Sequence, residues 1–201
     1  MKTYKIHLIR QGLTDANLKG MYIGQKTDMP LCPEGVKMLL DMKTNNDYPY
    51  IEALYSSPLK RCTQTASVLY PNKPIVVVDQ FTEYDFGDFD GKTANELENN
   101  ENFRKWTSGE ITAVPNGEDN KQFIERLAIG LNLVVNDMID NGKRSSAIVM
   151  HGGAIMMLLS SCAVPRRHTA EWVCEAGGGY SILITPSLYH SSGIVEVIGE
   201  I

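Results

Sequence analysis

The sequence predicts an α/β fold, a three-layer sandwich with a mostly parallel central sheet covered by helices on both faces. Short, wholly apolar runs such as Ala147–Met150 read as strands buried on both sides, and they alternate with segments of helical periodicity. A length of 201 residues with 43% hydrophobic content fits one globular domain, 1–201, with enough chain to bury a substantial core.

Tyr4–Ile9 is the first expected strand. Glu34 to Met42 then places Val36, Leu39 and Leu40 on one helical face, and Ala53–Tyr55 is a second strand. A helix is expected from Pro58 to Tyr70, with Leu59, Cys62, Ala66 and Leu69 facing inward. Ser57 would cap it, and Pro58 would take the first helical position, where a missing N–H costs nothing. Ile75–Val78 is a third strand. Residues 81–117 are polar, turn-rich and poor in strands, and read as an insertion lying over the ends of the sheet. A long helix from Asp119 to Asp140 follows from Phe123, Leu127, Leu131, Val134 and Met138, with Asn141-Gly142 as its stop. Ala147–Met150 is a fourth strand and passes through His151-Gly152-Gly153 into a helix over Ala154–Ser161. Gly177-Gly178-Gly179 reads as a turn into the strand Tyr180–Ile184, and Ile194–Ile198 adds an edge strand.

Composition excludes several classes of function. The net charge of −5 comes from 24 acidic and 19 basic residues scattered along the chain, so no basic stripe offers a footprint for nucleic acid. No apolar run approaches the roughly 18 residues of a membrane span, and the N-terminus lacks an apolar signal core; a soluble cytoplasmic protein with no membrane partner is expected. Cys32, Cys62, Cys162 and Cys174 form no CxxC pair, which suggests small apolar fillers rather than zinc ligands or a disulfide framework.

Four separated segments carry residues suited to phosphoryl chemistry, which needs cations and N–H groups around the phosphoryl oxygens, an in-line nucleophile and an acid for the leaving oxygen. Arg10 ends a buried strand, and Gln11-Gly12 turn the backbone after it; alone, such an arginine is equally a surface residue or a structural ion pair. Arg61 lies near a helix start and could clamp phosphate in a planar fork, or else lie on a solvated face. His151 stands before a glycine pair at a helix start, where the chain can approach an anion closely; its bland alternative is a structural histidine. Glu83 heads an acidic run with Asp85, Asp88 and Asp90, a pattern that also describes a solvated loop.

Taken together and in order, these segments resemble one known family. Leu8-Ile9-Arg10-Gln11-Gly12-Leu13-Thr14 is similar to the Leu-Ile-Arg-His-Gly-x-Thr signature of the histidine phosphatase superfamily, which includes the cofactor-dependent phosphoglycerate mutases. Ser56-Ser57-Pro58-Leu59-Lys60-Arg61-Cys62-Thr63-Gln64-Thr65-Ala66 resembles its Ser-Ser-Pro-x-x-Arg-x-x-Gln-Thr-Ala block, His151-Gly152-Gly153 its second histidine motif, and Phe81 to Gly91 its Leu-x-Glu-x-x-x-Gly block, with Phe89-Asp90-Gly91 where the family often has Trp-Glu-Gly.

The resemblance implies a phosphoglycerate mutase-like fold and a catalytic set of Gln11 (at the nucleophile position), Glu83 (proton donor) and His151. It implies phosphate contacts from Arg10, Arg61, His151, Asn17 and Gly152, with Thr14 and Gly24 on the approach. Gln11 stands where the family carries the histidine that becomes phosphohistidine, and an amide nitrogen, its lone pair delocalised, does not attack phosphorus although it can donate a hydrogen bond. The expected function is therefore that of a phosphomonoester hydrolase lacking its nucleophile, an inactivated or substrate-trapping form. The alternatives are a natural pseudoenzyme that binds phosphate esters and a phosphoglycerate mutase. Hydrolysis is preferred to mutase chemistry because the cover over 81–117 is too modest to exclude water. No metal and no cofactor are implied, since two arginines and a histidine neutralise the phosphate. The partner would be a small-molecule phosphate ester, with phosphate or sulfate able to enter the pocket; sugar phosphates, nucleotide-like phosphates and phosphoglycerates stay open as substrates, as does a homodimer.

Overall fold

Strands buried on both faces need a layer of helix on each side, and the chain supplies both. The computed structural model describes residues 2–45 and 48–201. Its elements are β1 (Tyr4–Arg10), α1 (Asp15–Leu18), α2 (Pro33–Asn45), β2 (Ala53–Ser56), α3 (Lys60–Leu69), β3 (Ile75–Val77), α4 (Ala94–Leu97), α5 (Glu101–Thr107), α6 (Asn120–Asp140), β4 (Ser145–Met150), α7 (Gly152–Cys162), β5 (Ala163–Val164), β6 (Gly179–Ile184), α8 (Pro186–Ser192) and β7 (Val195–Glu200). The sheet runs β3-β2-β4-β1-β6-β7-β5. β3, β2, β4 and β1 are mutually parallel, β6 is antiparallel to both β1 and β7, and β5 is parallel to β7.

Alternation along β1 and β4 divides the core. Ile6, Leu8, Ile148 and Met150 pack with α6 and α7, whereas Ile9, Ala147 and Val149 pack with α2 and α3. Register places the site. Arg10 lies opposite Met150, and Ser56 lies opposite Val149, so three parallel strands end side by side at their carboxyl ends, where open α/β sheets form their ligand crevices.

α6 starts as expected, with Asp119 as N-cap and a reciprocal capping box to Gln122. α7 begins at Gly152 rather than Ala154, so both glycines lie in its first turn. Two expectations are corrected. Ile194–Ile198 was expected at the sheet edge, but β7 is the penultimate strand, because the two-residue β5 pairs outside it; so short a strand has no periodicity to read. The helix expected from Pro58 begins at Lys60, with Leu59 as an extended N-cap that makes no side-chain cap bond. The Ser57 hydroxyl is bonded to His151 and accepts only a long bond, 3.4 Å, from Leu59 N–H ahead of the helix.

Residues 81–117 contain α4, α5 and no strand of the sheet, and they carry more apolar surface than their polar composition suggests. Tyr84, Phe86, Phe89, Phe103 and Trp106 cluster with Tyr22, and Tyr84 meets Phe123 of α6 with ring centroids 5.1 Å apart. Among the described residues, no helix is long and apolar enough to cross a membrane.

Candidate active site

Arg10 closes β1 with its Nη1 donating to the Cys174 carbonyl at 2.5 Å, while its Nε is buried without a partner among the described residues. Next to it, Gln11 is 5% exposed, and its Oε1 is likewise buried and unpaired. Two adjacent unpaired polar atoms are unusual in an interior where such groups are nearly always bonded. The backbone here is firmly held: Gln11 N–H donates to the Met150 carbonyl, and Gly12 N–H to Thr65 Oγ1 at 2.9 Å. Thr65 Oγ1 in turn donates to the Arg61 carbonyl at 2.6 Å, so one hydroxyl ties the turn after β1 to the first turn of α3.

Arg61 is the second residue of α3 and is 2% exposed. The helix start beside it is capped from a distance, by Asp28 Oδ1 accepting from Lys60 N–H at 2.7 Å. Arg61 donates from Nε to His151 Nδ1 (3.3 Å), from Nη1 to the Thr27 carbonyl (2.9 Å) and from Nη2 to the Gly24 carbonyl (3.2 Å). Because a guanidinium can only donate, His151 Nδ1 carries the lone pair and its ring proton sits on Nε2, which donates to Ser57 Oγ at 2.8 Å. Burial, reinforced by the charges of Arg61 and Arg126, holds the His151 pKa well below 6.5, so the ring is neutral.

His151 is the N-cap of α7, whose first amides have no helical acceptor, and the Gly153 amide meets Glu83. The glycines exist for close approach. A Cβ on Gly152 would stand 3.1 Å from Arg10 Nε, and one on Gly153 would stand 2.9 Å from Glu83 Oε1. Glu83 is buried, and desolvation raises its pKa, with the Tyr84 and Gly153 amides and Arg61 pulling the other way. Its backbone is set by Arg126 of α6, which is paired with Glu118 at 2.8 Å and donates to the carbonyls of Gln80, Thr82 and Glu83.

The structure thus brings Arg10, Gln11, Arg61, Glu83, His151 and Gly152 to one place. Asn17 serves elsewhere with its carbonyl, since Oδ1 accepts from Thr14 N–H and Thr14 Oγ1 in the capping box of α1. Asp85, Asp88 and Asp90 turn to other partners: Asp85 meets Lys26 at 3.1 Å, Asp88 accepts from Asn116, and Asp90 accepts from Gly24 and Thr27. Among the described residues, no group of three His, Cys, Asp or Glu is placed to hold a metal. Sequence reasoning missed Thr65, Arg126 and the bond from His151 to Ser57. Ser57 and Thr65 lie inside a recognisable block but read as a cap and a helix interior; for Arg126 no local signal exists.

With this geometry in hand, the comparisons with known proteins fall into line. Residues 6–184 match the family described as the histidine phosphatase superfamily, branch 1. The chain is 34% identical over 156 residues to the uncharacterized phosphatase PhoE of Bacillus subtilis, covering 76% of this chain and 74% of that one. Among solved structures it resembles a mutant phosphoserine phosphatase from Entamoeba histolytica in complex with phosphoserine, with a TM-score of 0.79, 24% identity and coverage of 98% and 96%. It also resembles phosphoglycerate mutase from Bacillus anthracis, with a TM-score of 0.78, 18% identity and coverage of 98% and 92%. A family match over nearly the whole sheet, joined to this arrangement of strand ends, makes the chain a member of the histidine phosphatase superfamily.

Proposed function

We propose that this chain binds small phosphate monoesters at the carboxyl ends of β1, β2 and β4, with Gln11 in the place of the family's nucleophilic histidine, and that in this form it holds its ligand without hydrolysing it. The observation that carries the reading is the pair of unpaired, buried atoms on consecutive residues, Arg10 Nε and Gln11 Oε1, beside the first turn of α7. A phosphoryl oxygen would satisfy Arg10 Nε. A half-turn of the Gln11 amide about χ3 would aim Nε2–H at a second oxygen, and the amide of Gly152 supplies a further donor.

Glu83, whose pKa is raised by burial, is placed as the acid for a leaving alkoxide in an active form. What is lacking is the attacking atom: a primary amide cannot form the phosphorylated intermediate. A phosphatase relative and a fold neighbour in complex with phosphoserine support a small phosphate ester as the ligand. The retention of a buried acid beside the site favours a catalyst with one altered position over a protein built only to bind.

The test compares the chain with Gln11→His, using an aryl phosphate in EDTA. Restored turnover of about 10⁴-fold or more is expected, the typical cost of removing a covalent nucleophile. Equal rates would refute the placement of Gln11, and loss of the restored activity in EDTA would refute a metal-free mechanism.

A further inference from the structure

Arg61 is a buried cation with no carboxylate within ion-pair distance among the described residues. Besides the His151 ring that accepts from its Nε, what orients it is backbone. The carbonyls of Gly24 and Thr27 accept from its two Nη atoms, at 3.2 and 2.9 Å. Those two residues are gripped from their other side by one side chain: Asp90 Oδ1 accepts from Gly24 N–H at 2.6 Å, and Asp90 Oδ2 accepts from Thr27 Oγ1. Asp90 is itself fixed to the same segment, because Gly91 N–H donates to the Tyr22 carbonyl at 2.7 Å and Tyr22 N–H to the Lys92 carbonyl at 2.8 Å. There is no slack on the far side either, since a Cβ on Gly24 would meet the Tyr84 carbonyl at 2.3 Å.

We propose that Asp90 is a positioning residue for phosphate binding: through the Gly24–Thr27 loop it fixes the plane of the Arg61 guanidinium. The inference rests on Arg61 being the anion clamp of the proposed function. A guanidinium recognises a phosphoryl group through the direction of its N–H fork, so its usefulness depends on the acceptors that hold the remaining donors. Without the Asp90 carboxylate the Gly24 N–H loses its acceptor, the loop relaxes to find another, and both carbonyls leave Arg61 together. The carboxylate acts by geometry. An asparagine could preserve it, with Oδ1 accepting from Gly24 N–H and Nδ2 donating to the Thr27 hydroxyl.

Orthovanadate titration of the full chain tests this with Asp90→Ala, Asp90→Asn, Arg61→Ala and the double variant Asp90→Ala/Arg61→Ala. Asp90→Ala should weaken binding by about tenfold or more, Asp90→Asn should remain within about threefold of the unaltered chain, and in the Arg61→Ala background Asp90→Ala should change binding by less than about twofold, as a residue acting through Arg61 must. An asparagine variant as weak as the alanine variant would overturn the proposal, because charge and not geometry would then be at work. An undiminished effect of Asp90→Ala in the Arg61→Ala background would overturn it as well. If the unaltered chain takes up no vanadate, it is the reading of the site that fails. Proton exchange at Arg61 Nε–H, followed by NMR without ligand, then decides: exchange about tenfold faster in Asp90→Ala upholds the positioning role, and unchanged exchange rejects it.

Discussion

Gly153→Ala tests the placement of Glu83 with a single methyl group. In a helix, alanine in place of glycine gains up to about 1 kcal/mol of stability from backbone entropy alone. Here the added Cβ would stand 2.9 Å from Glu83 Oε1 and 3.2 Å from Oε2, so the carboxyl must retreat by about 0.5 Å to restore an ordinary 3.4 Å contact. Retreat stretches the 2.8 Å bond that the carboxyl accepts from Tyr84 N–H and disturbs its contact with the Gly153 amide. Overpacking of this kind costs about 1 to 3 kcal/mol, and a weakened buried hydrogen bond about 1 more. The net expectation is a loss of about 1 to 3 kcal/mol in urea denaturation, where a free helical position would show a gain. Gly152→Ala, whose Cβ meets the more flexible Arg10 at 3.1 Å, should cost less. In the Gln11→His background, single-turnover release of alcohol from an alkyl phosphate should fall by about 10- to 100-fold in Gly153→Ala, and release from a nitrophenyl phosphate by less than about threefold, because only the poor leaving group needs the acid. A Gly153→Ala variant that is more stable than its parent, with an unchanged ratio of alkyl to aryl rates, would refute the contact and the role assigned to Glu83.

Arg61→Ala should weaken vanadate binding by at least about 30-fold, whereas Lys60→Ala, whose exposed Nζ lies 3.8 Å from Asp28, should stay within about fivefold; comparable losses in the two titrations would put the wrong face of α3 at the site. His7, buried and bonded through Nδ1 to Ser181 Oγ at 2.8 Å, has its pKa lowered to about 4 from 6.5 by desolvation and by Lys5. The unfolded chain therefore binds the extra proton between those values, and folding stability, full above about pH 6.5, falls as the pH drops toward 4. Urea midpoints of the chain and of His7→Gln measured across that window should show the variant losing less, with a difference in slope of no more than about 1.4 kcal/mol per pH unit, and parallel slopes would mean that His7 titrates normally.

Periodicity alone placed α6, the buried strands and the layered α/β arrangement, because helix and strand patterns are local and the apolar faces leave few ways to be covered. The linear order of Arg10-Gln11, Arg61, Glu83 and His151-Gly152-Gly153 likewise carried the family. Tertiary structure decided what those residues touch. Ser57 carries every local mark of a helix cap, yet its hydroxyl bonds His151 and keeps only a long contact with Leu59 N–H, while Lys60 N–H is taken by Asp28, 32 positions earlier. β5 is too short to declare itself, and so the sheet edge was misassigned. Thr65, Asp90 and Arg126 act through hydrogen bonds to groups dozens of residues away, and no pattern of neighbours along the chain encodes such a partner. Sequence specifies which residues prefer which backbone and which face, whereas the pairing of polar groups at the site is settled only when three strand ends, an aromatic-packed loop and the start of α7 converge and bring donors and acceptors from distant segments within reach.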